Sequence, residues 1–179
     1  LMATMIMVMS YFDIFLLSFF GTTTQVGTYN VVYPLAELLT ATLSAFGFIA
    51  MPVLSELHSD GAIGEMKRTY QLMTKWMFVF TLPVALIMIL FPSPTIRLTF
   101  GPEYDWAGLS LSVLAVGFFT HTVAGPNVNT LTSIGRTRTI MYDNILAGAT
   151  NIALNVLLIP RYGILGAAMA TAVAYAGLN

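Results

Sequence analysis

The chain has 179 residues, of which 57% are hydrophobic and 8% charged, with a formal net charge of −1 and a mean hydropathy of +0.81. A water-soluble domain carries about 25% charged residues, so lipid is the expected solvent, and the seven Lys and Arg form no basic stripe able to neutralise the phosphates of a nucleic-acid partner. The absence of Cys excludes disulfides, thiolate chemistry and Cys-based metal sites.

A bilayer core about 30 Å thick needs about 20 apolar residues in a helix. Six runs of that kind follow one another at about 2–20, 29–57, 69–90, 107–132, 139–159 and 164–179. No charged n-region or small-residue cleavage site precedes the first, and the last still reads as helix, so the chain reads as a fragment of a longer protein. The breaks GTTTQVG, HSDGAIGEMKR, FPSPTIRLTFGPEYD, SIGRTR and PRYG are rich in turn formers. They are short, which makes consecutive helices antiparallel neighbours. The expected fold class is all-α, a polytopic membrane helix bundle with six transmembrane helices.

Orientation follows from basic residues, which are retained on the cytoplasmic side. Lys67, Arg68 and Lys75 at the second break and Arg136 and Arg138 at the fourth oppose Arg97 at the third and Arg161 at the fifth, which places Leu1 on the cytoplasmic side of the cell membrane. Trp76 and Trp106 fall near expected interfaces. Segments 64–70 and 93–100 each set a few apolar groups beside basic ones and are read as short helices in the headgroup plane. Pro34 and Pro83 lie inside runs, where each removes a backbone hydrogen bond and tends to kink the axis. The final run opens GILGAAMATAVAYAG, whose small residues at spacings of three and four admit a neighbouring backbone.

Asp13, in YFDIFLLSFF, is the sharpest chemical signal. An acid at the centre of a spanning helix costs about 2.5–3.5 kcal/mol on insertion scales and so faces a cavity, a partner or an ion. A protonated Asp bonded to a neighbouring helix is the plainer alternative. Glu37, in YPLAELLTA, raises the same question nearer the outer end, and with Asn127 it is assigned to the lining of an internal cavity. NIALN sets Asn151 and Asn155 on one helical face, and Ala167 and Thr171 follow across the turn at 160–163. A carboxylate, two amide oxygens, a hydroxyl and a freed main-chain carbonyl make an all-oxygen set suited to hard cations. With one carboxylate, Na+ or H+ matches the charge better than a divalent ion. The alternative for the two Asn is interhelical hydrogen bonding, worth about 0.6 kcal/mol each. His121, Asn127 and Asn129 lie in the fourth run, where a spacing of two sends the Asn pair to different faces. No His pair suited to zinc, no phosphate-cradling glycine loop and no nucleophilic triad is recognisable, so the chain is not read as an enzyme.

The order YFDIFLLSFFGTTTQVGTYNVVYPLAELL, MPVLSELHSDG, FGPEY, LTSIGRTR and NIALNVLLIPRYGILGAAMAT resembles the C-terminal half of polysaccharide flippases in the multidrug/oligosaccharidyl-lipid/polysaccharide exporter superfamily, over essentially the whole chain. The resemblance implies that the six spans are the seventh to twelfth helices of a longer chain, one half of a two-bundle alternating-access transporter whose other half is absent here. It implies a polyprenyl-linked glycan as substrate, flipped from the cytoplasmic to the outer leaflet within the bilayer, with a Na+ or H+ gradient or the membrane potential as the coupling force. Lipid II flippases of the superfamily hold sodium with an Asp, an Asn and a second Asp one turn apart, a main-chain carbonyl and a Thr. Asp13, Asn151, Ala167 and Thr171 match that set, and Asn155 departs from it by putting an amide where the second acid stands. The alternatives are a cation-coupled multidrug exporter of the same superfamily, an integral-membrane glycan polymerase or glycosyltransferase, and a purely structural membrane subunit. The break at 91–105 holds only Arg97, Glu103 and Asp105, too little for a catalytic outer loop.

Overall fold

The computed structural model describes the backbone of residues 2–177 and the side chains of residues 11–177. Nine α-helices follow in order among the described residues: α1 Met2–Phe20, α2 Thr23–Glu37, α3 Ala41–Ser59, α4 Ile63–Leu90, α5 Pro92–Phe100, α6 Gly108–Val123, α7 Asn127–Ser133, α8 Thr137–Tyr162 and α9 Ile164–Gly177. Short 3-10 turns at Leu38–Thr40 and Pro102–Ala107 join α2 to α3 and α5 to α6, and no strand occurs among the described residues. Among the described residues four helical stretches are long and apolar enough to cross a membrane: Thr23–Ser59, Ile63–Leu90, Pro102–Ser133 and Thr137–Tyr162. The first run is helix α1, whose side chains are described over Tyr11–Phe20, and the last is the shorter apolar helix Ile164–Gly177. Leu1, the side chains of 2–10 and the end at 178–179 lie outside the described residues.

Local chemistry explains where the helices depart from the apolar runs. The second helix starts at Thr23, before the apolar run, because Thr22 and Gln25 form a reciprocal capping box that satisfies two terminal N–H groups. Pro34 deprives one α2 carbonyl of its usual donor, and one turn on the chain tightens into the 3-10 turn at Leu38–Thr40 before resuming as α3. The fourth run, expected as one helix over 107–132, breaks into α6 and α7 at Gly125, whose φ of 95° is a glycine conformation, followed by Pro126. Residues 64–70 are the first turns of the long helix α4 and not a separate interfacial helix, whereas 93–100 do form the separate helix α5.

The bundle closes around α6 and α9. Within the Pro102–Ser133 stretch 50% of the apolar window is buried, against 22% in each of the other three. Helix α9 packs on α8 and α6, and the small residues in its sequence set the approach. A Cβ added at Gly117 of α6 would lie 2.4 Å from the Ala172 Cα, and one at Gly166 would lie 2.4 Å from the Leu158 carbonyl oxygen. The shared interior contains Leu17, Tyr29, Val32, Leu111, Leu114 and Phe118. Outward, Phe48 is 85% exposed and Leu98 90%, with many apolar neighbours in the same state. So much apolar surface exceeds what a water-soluble monomer presents, and together with the long apolar helices it marks a membrane protein.

Candidate functional site

Four helices meet at Asp13. Helix α1 carries Asp13, α2 carries Tyr29, α8 carries Asn151 and Asn155, and α9 carries Thr171. The turn at Gly163, with φ of 56°, reverses the chain between α8 and α9, and the glycine contact at Gly166 lets α9 lie close to α8. As a result Thr171 faces Asn151, whose Nδ2 donates to the Thr171 Oγ1 at 3.4 Å. All five side chains are at most 2% exposed.

The carboxylate of Asp13 accepts three hydrogen bonds. The Tyr29 hydroxyl donates to Oδ2 at 2.9 Å, the Thr171 hydroxyl donates to the same oxygen, and the Asn155 Nδ2 donates to Oδ1. Asn155 Nδ2 also donates to the Asn151 Oδ1 at 3.0 Å, which is the bond that the one-turn spacing of NIALN makes available. Tyr29 and Thr171 hydroxyl oxygens lie 3.3 Å apart. None of these donors is a basic side chain, and the ion pair among the described residues, Arg97 with Asp105, belongs to α5 and the turn after it. The Asn155 Oδ1 is buried and has no hydrogen-bond partner among the described residues. An unmet amide oxygen of this kind is costly, and turning the amide would not relieve it, because the oxygen would then face the acceptor oxygens of Asp13 and Asn151.

Sequence reasoning named Asp13, Asn151, Asn155 and Thr171, and the structure brings all four into one network. Ala167 is fully buried one turn before Thr171 on α9, with its N–H held by the Gly163 carbonyl at 3.2 Å. Tyr29 was not foreseen. Tyrosine counts as apolar in a hydropathy reading, so a hydroxyl at the start of the second run left no signal. No group of three His, Asp or Glu able to hold a metal occurs among the described residues. The oxygens around Asp13 are one carboxylate with neutral amide and hydroxyl groups, a set that suits a single positive charge of hard character.

Glu37 and Asn127 part company. Glu37 is exposed and lines a groove of about 740 Å³ between α3 and the α6–α7 break, together with Ser44, Phe48, His121, Asn129 and Tyr175. Asn127 instead accepts from the Tyr70 hydroxyl at 2.6 Å, while Asn129, two residues on, lines the groove and packs against Gly47 of α3.

Comparison with known proteins follows the same lines. A family model described as polysaccharide biosynthesis protein matches residues 1–108. An uncharacterized membrane protein of Methanocaldococcus jannaschii is 28% identical over 170 residues, covering 94% of this chain and 34% of that protein. A putative O-antigen transporter of Shigella flexneri is 27% identical over 163 residues, covering 90% of this chain and 38% of that protein. A probable flippase of Haloferax volcanii is 29% identical over 168 residues, covering 90% and 34%. The chain thus spans about a third of the length of these curated relatives, and those with functional names are named as a transporter and a flippase, not as enzymes. No solved structure matches the chain. With the family model matched across 1–108 and its membrane-helical fold, the chain belongs to the polysaccharide biosynthesis protein family.

Proposed function

We propose that this chain is one bundle of a transporter that flips polyprenyl-linked oligosaccharide from the cytoplasmic to the outer leaflet of the cell membrane for cell-surface polysaccharide biosynthesis. In this reading its six apolar runs all span the bilayer with Leu1 on the cytoplasmic side, and the remainder of a longer chain supplies the facing bundle. The two bundles rock about a central cavity, a logic shared by transporters built from repeats, and the Glu37 groove forms part of its wall. The Asp13 cluster is the coupling site, where a sodium ion or a proton neutralises the carboxylate.

The single observation that supports coupling at this place is a buried carboxylate held by Tyr29, Asn155 and Thr171 with no basic side chain among its donors. Charge at membrane depth is costly without a counter-charge. A cation bound there joins α1, α8 and α9, and its departure releases them. Moving one elementary charge through 100 mV supplies about 2.3 kcal/mol, enough to bias an exchange between two conformations of a bundle. Neutral oxygens in place of a second acid favour one positive charge over two.

The test is glycan export by the full-length protein, measured with and without a sodium gradient and a proton gradient. Asp13→Asn is expected to leave an export rate that no longer responds to either gradient. Export by Asp13→Asn that keeps the wild-type response would remove the site from the mechanism.

A further inference from the structure

Between the Asp13 cluster and the groove runs a file of buried aromatic side chains, of which the coupling reading uses Tyr29 alone. Tyr29 and Tyr33 stand one turn apart on α2, with ring centroids 5.7 Å apart. The Tyr33 hydroxyl lies 3.4 Å from the Tyr175 hydroxyl of α9. Tyr175 packs on Phe118 at 4.7 Å and edge-on to His121 at 5.2 Å, and Phe118 meets Tyr33 at 5.5 Å. One end of the file, Tyr29, donates to Asp13, and the other end, Tyr175 with His121, lines the groove beside Glu37. Tyr29, Tyr33 and Tyr175 are at most 8% exposed, so none can turn without displacing its neighbour.

We propose that Tyr29, Tyr33 and Tyr175 form a mechanical link that transmits the charge state of Asp13 to the wall of the groove, with Tyr175 as the positioning residue at the groove end. This rests on the reading of Asp13 as the coupling site. When the carboxylate is neutralised it ceases to be the strong acceptor that fixes the Tyr29 hydroxyl. Tyr29 then shifts against Tyr33, and Tyr33 against Tyr175, because Phe118 packs against both Tyr33 and Tyr175 and leaves the rings little room to move independently. The groove therefore differs in shape between the charged and the neutral state of the site, and a ligand that prefers one shape favours one state of Asp13, since coupling between sites is reciprocal.

The experiment places a reporter thiol on the groove by Ser44→Cys in the full-length protein, with any cysteines outside this segment replaced by serine. Maleimide labelling rates are compared for Asp13 and Asp13→Asn, the latter standing in for the neutralised carboxylate. With the file intact, Asp13→Asn is expected to change the rate by about fivefold or more, the lower end of coupling between sites. Tyr175→Phe keeps the ring and removes only the hydroxyl, and Tyr33→Phe removes the other half of the same contact. In either background the effect of Asp13→Asn should fall below about twofold, the range of independent sites, while exposed Tyr162→Phe should leave it at full size. Melting temperatures of all variants separate a lost link from a lost fold. An undiminished effect in Tyr175→Phe and Tyr33→Phe overturns the link, and so does no effect of Asp13→Asn in the intact file. Neither result touches the coupling reading itself, which stands or falls on the gradient dependence of export.

Discussion

Asn155→Asp places a second acid beside Asp13, and the geometry of the cluster says what that should do. The Asn155 Nδ2 stands 2.5 Å from the Asp13 Oδ1, so the substitution sets two carboxylates in contact inside the bundle. Unit charges about 4 Å apart interact by about 4 kcal/mol at an effective dielectric of about 20, a large fraction of the stability of a typical fold. A cation between them reverses the sign of the local interaction, and an ion that binds only the folded state adds about 2.7 kcal/mol at a hundredfold excess over its dissociation constant. The assay is thermal melting of the full-length protein at alkaline pH, in NaCl and in choline chloride of equal ionic strength. Asn155→Asp is expected to melt below the wild type in choline and to recover most of the loss in sodium, whereas Asn155→Leu, which offers no oxygen, should show no preference between the salts. Superimposed curves for Asn155→Asp in the two salts would refute the placement of Asn155 at an ion-accessible oxygen cluster.

Three further substitutions test the packing that holds the cluster. Gly117→Val should destabilise the protein by about 1–3 kcal/mol through overpacking, because a Cβ there meets the Ala172 Cα and Cβ at 2.4 and 2.7 Å; chemical denaturation in detergent reads the change. Gly125→Ala should cost about 1–2 kcal/mol, since its φ of 95° is unfavourable for an L side chain, and faster amide exchange over 124–127 would report the loosened break. Thr22→Ala removes the capping box and should cost about 0.5–2 kcal/mol, seen as earlier exchange of the first α2 amides with little change elsewhere.

The helical class and the shared face of Asn151 and Asn155 were legible in the sequence because each rests on local spacing, whereas their meeting with Asp13 joins distant parts of the chain and was suggested by the resemblance. Runs of about 20 apolar residues report helices directly, and the interval between Asn151 and Asn155 fixes a shared face without any tertiary knowledge. The breaks inside runs were less legible. Gly125 and Pro126 are turn formers, but the apolar residues on both sides mask them in a window average, and the tightening at Leu38–Thr40 lies one turn past its nearest proline. The capped start at Thr22 was hidden for the opposite reason, since Thr and Gln read as loop until their reciprocal bonds are seen. Tyr29, Tyr33 and Tyr175 escaped because their rings satisfy a hydropathy scale while their hydroxyls do the bonding, and their meeting depends on how α2 and α9 cross. Asn127 and Asn129 show the limit of spacing alone. It separates their faces correctly, yet cannot tell which face borders the groove.

The most direct measurement is equilibrium binding of radioactive sodium to the purified full-length protein, with proton uptake followed at the same time, for the wild type and Asp13→Asn. The account predicts one monovalent cation per molecule, sodium or a proton in competition, lost when the carboxylate becomes an amide. Binding of equal stoichiometry and affinity in Asp13→Asn would contradict it.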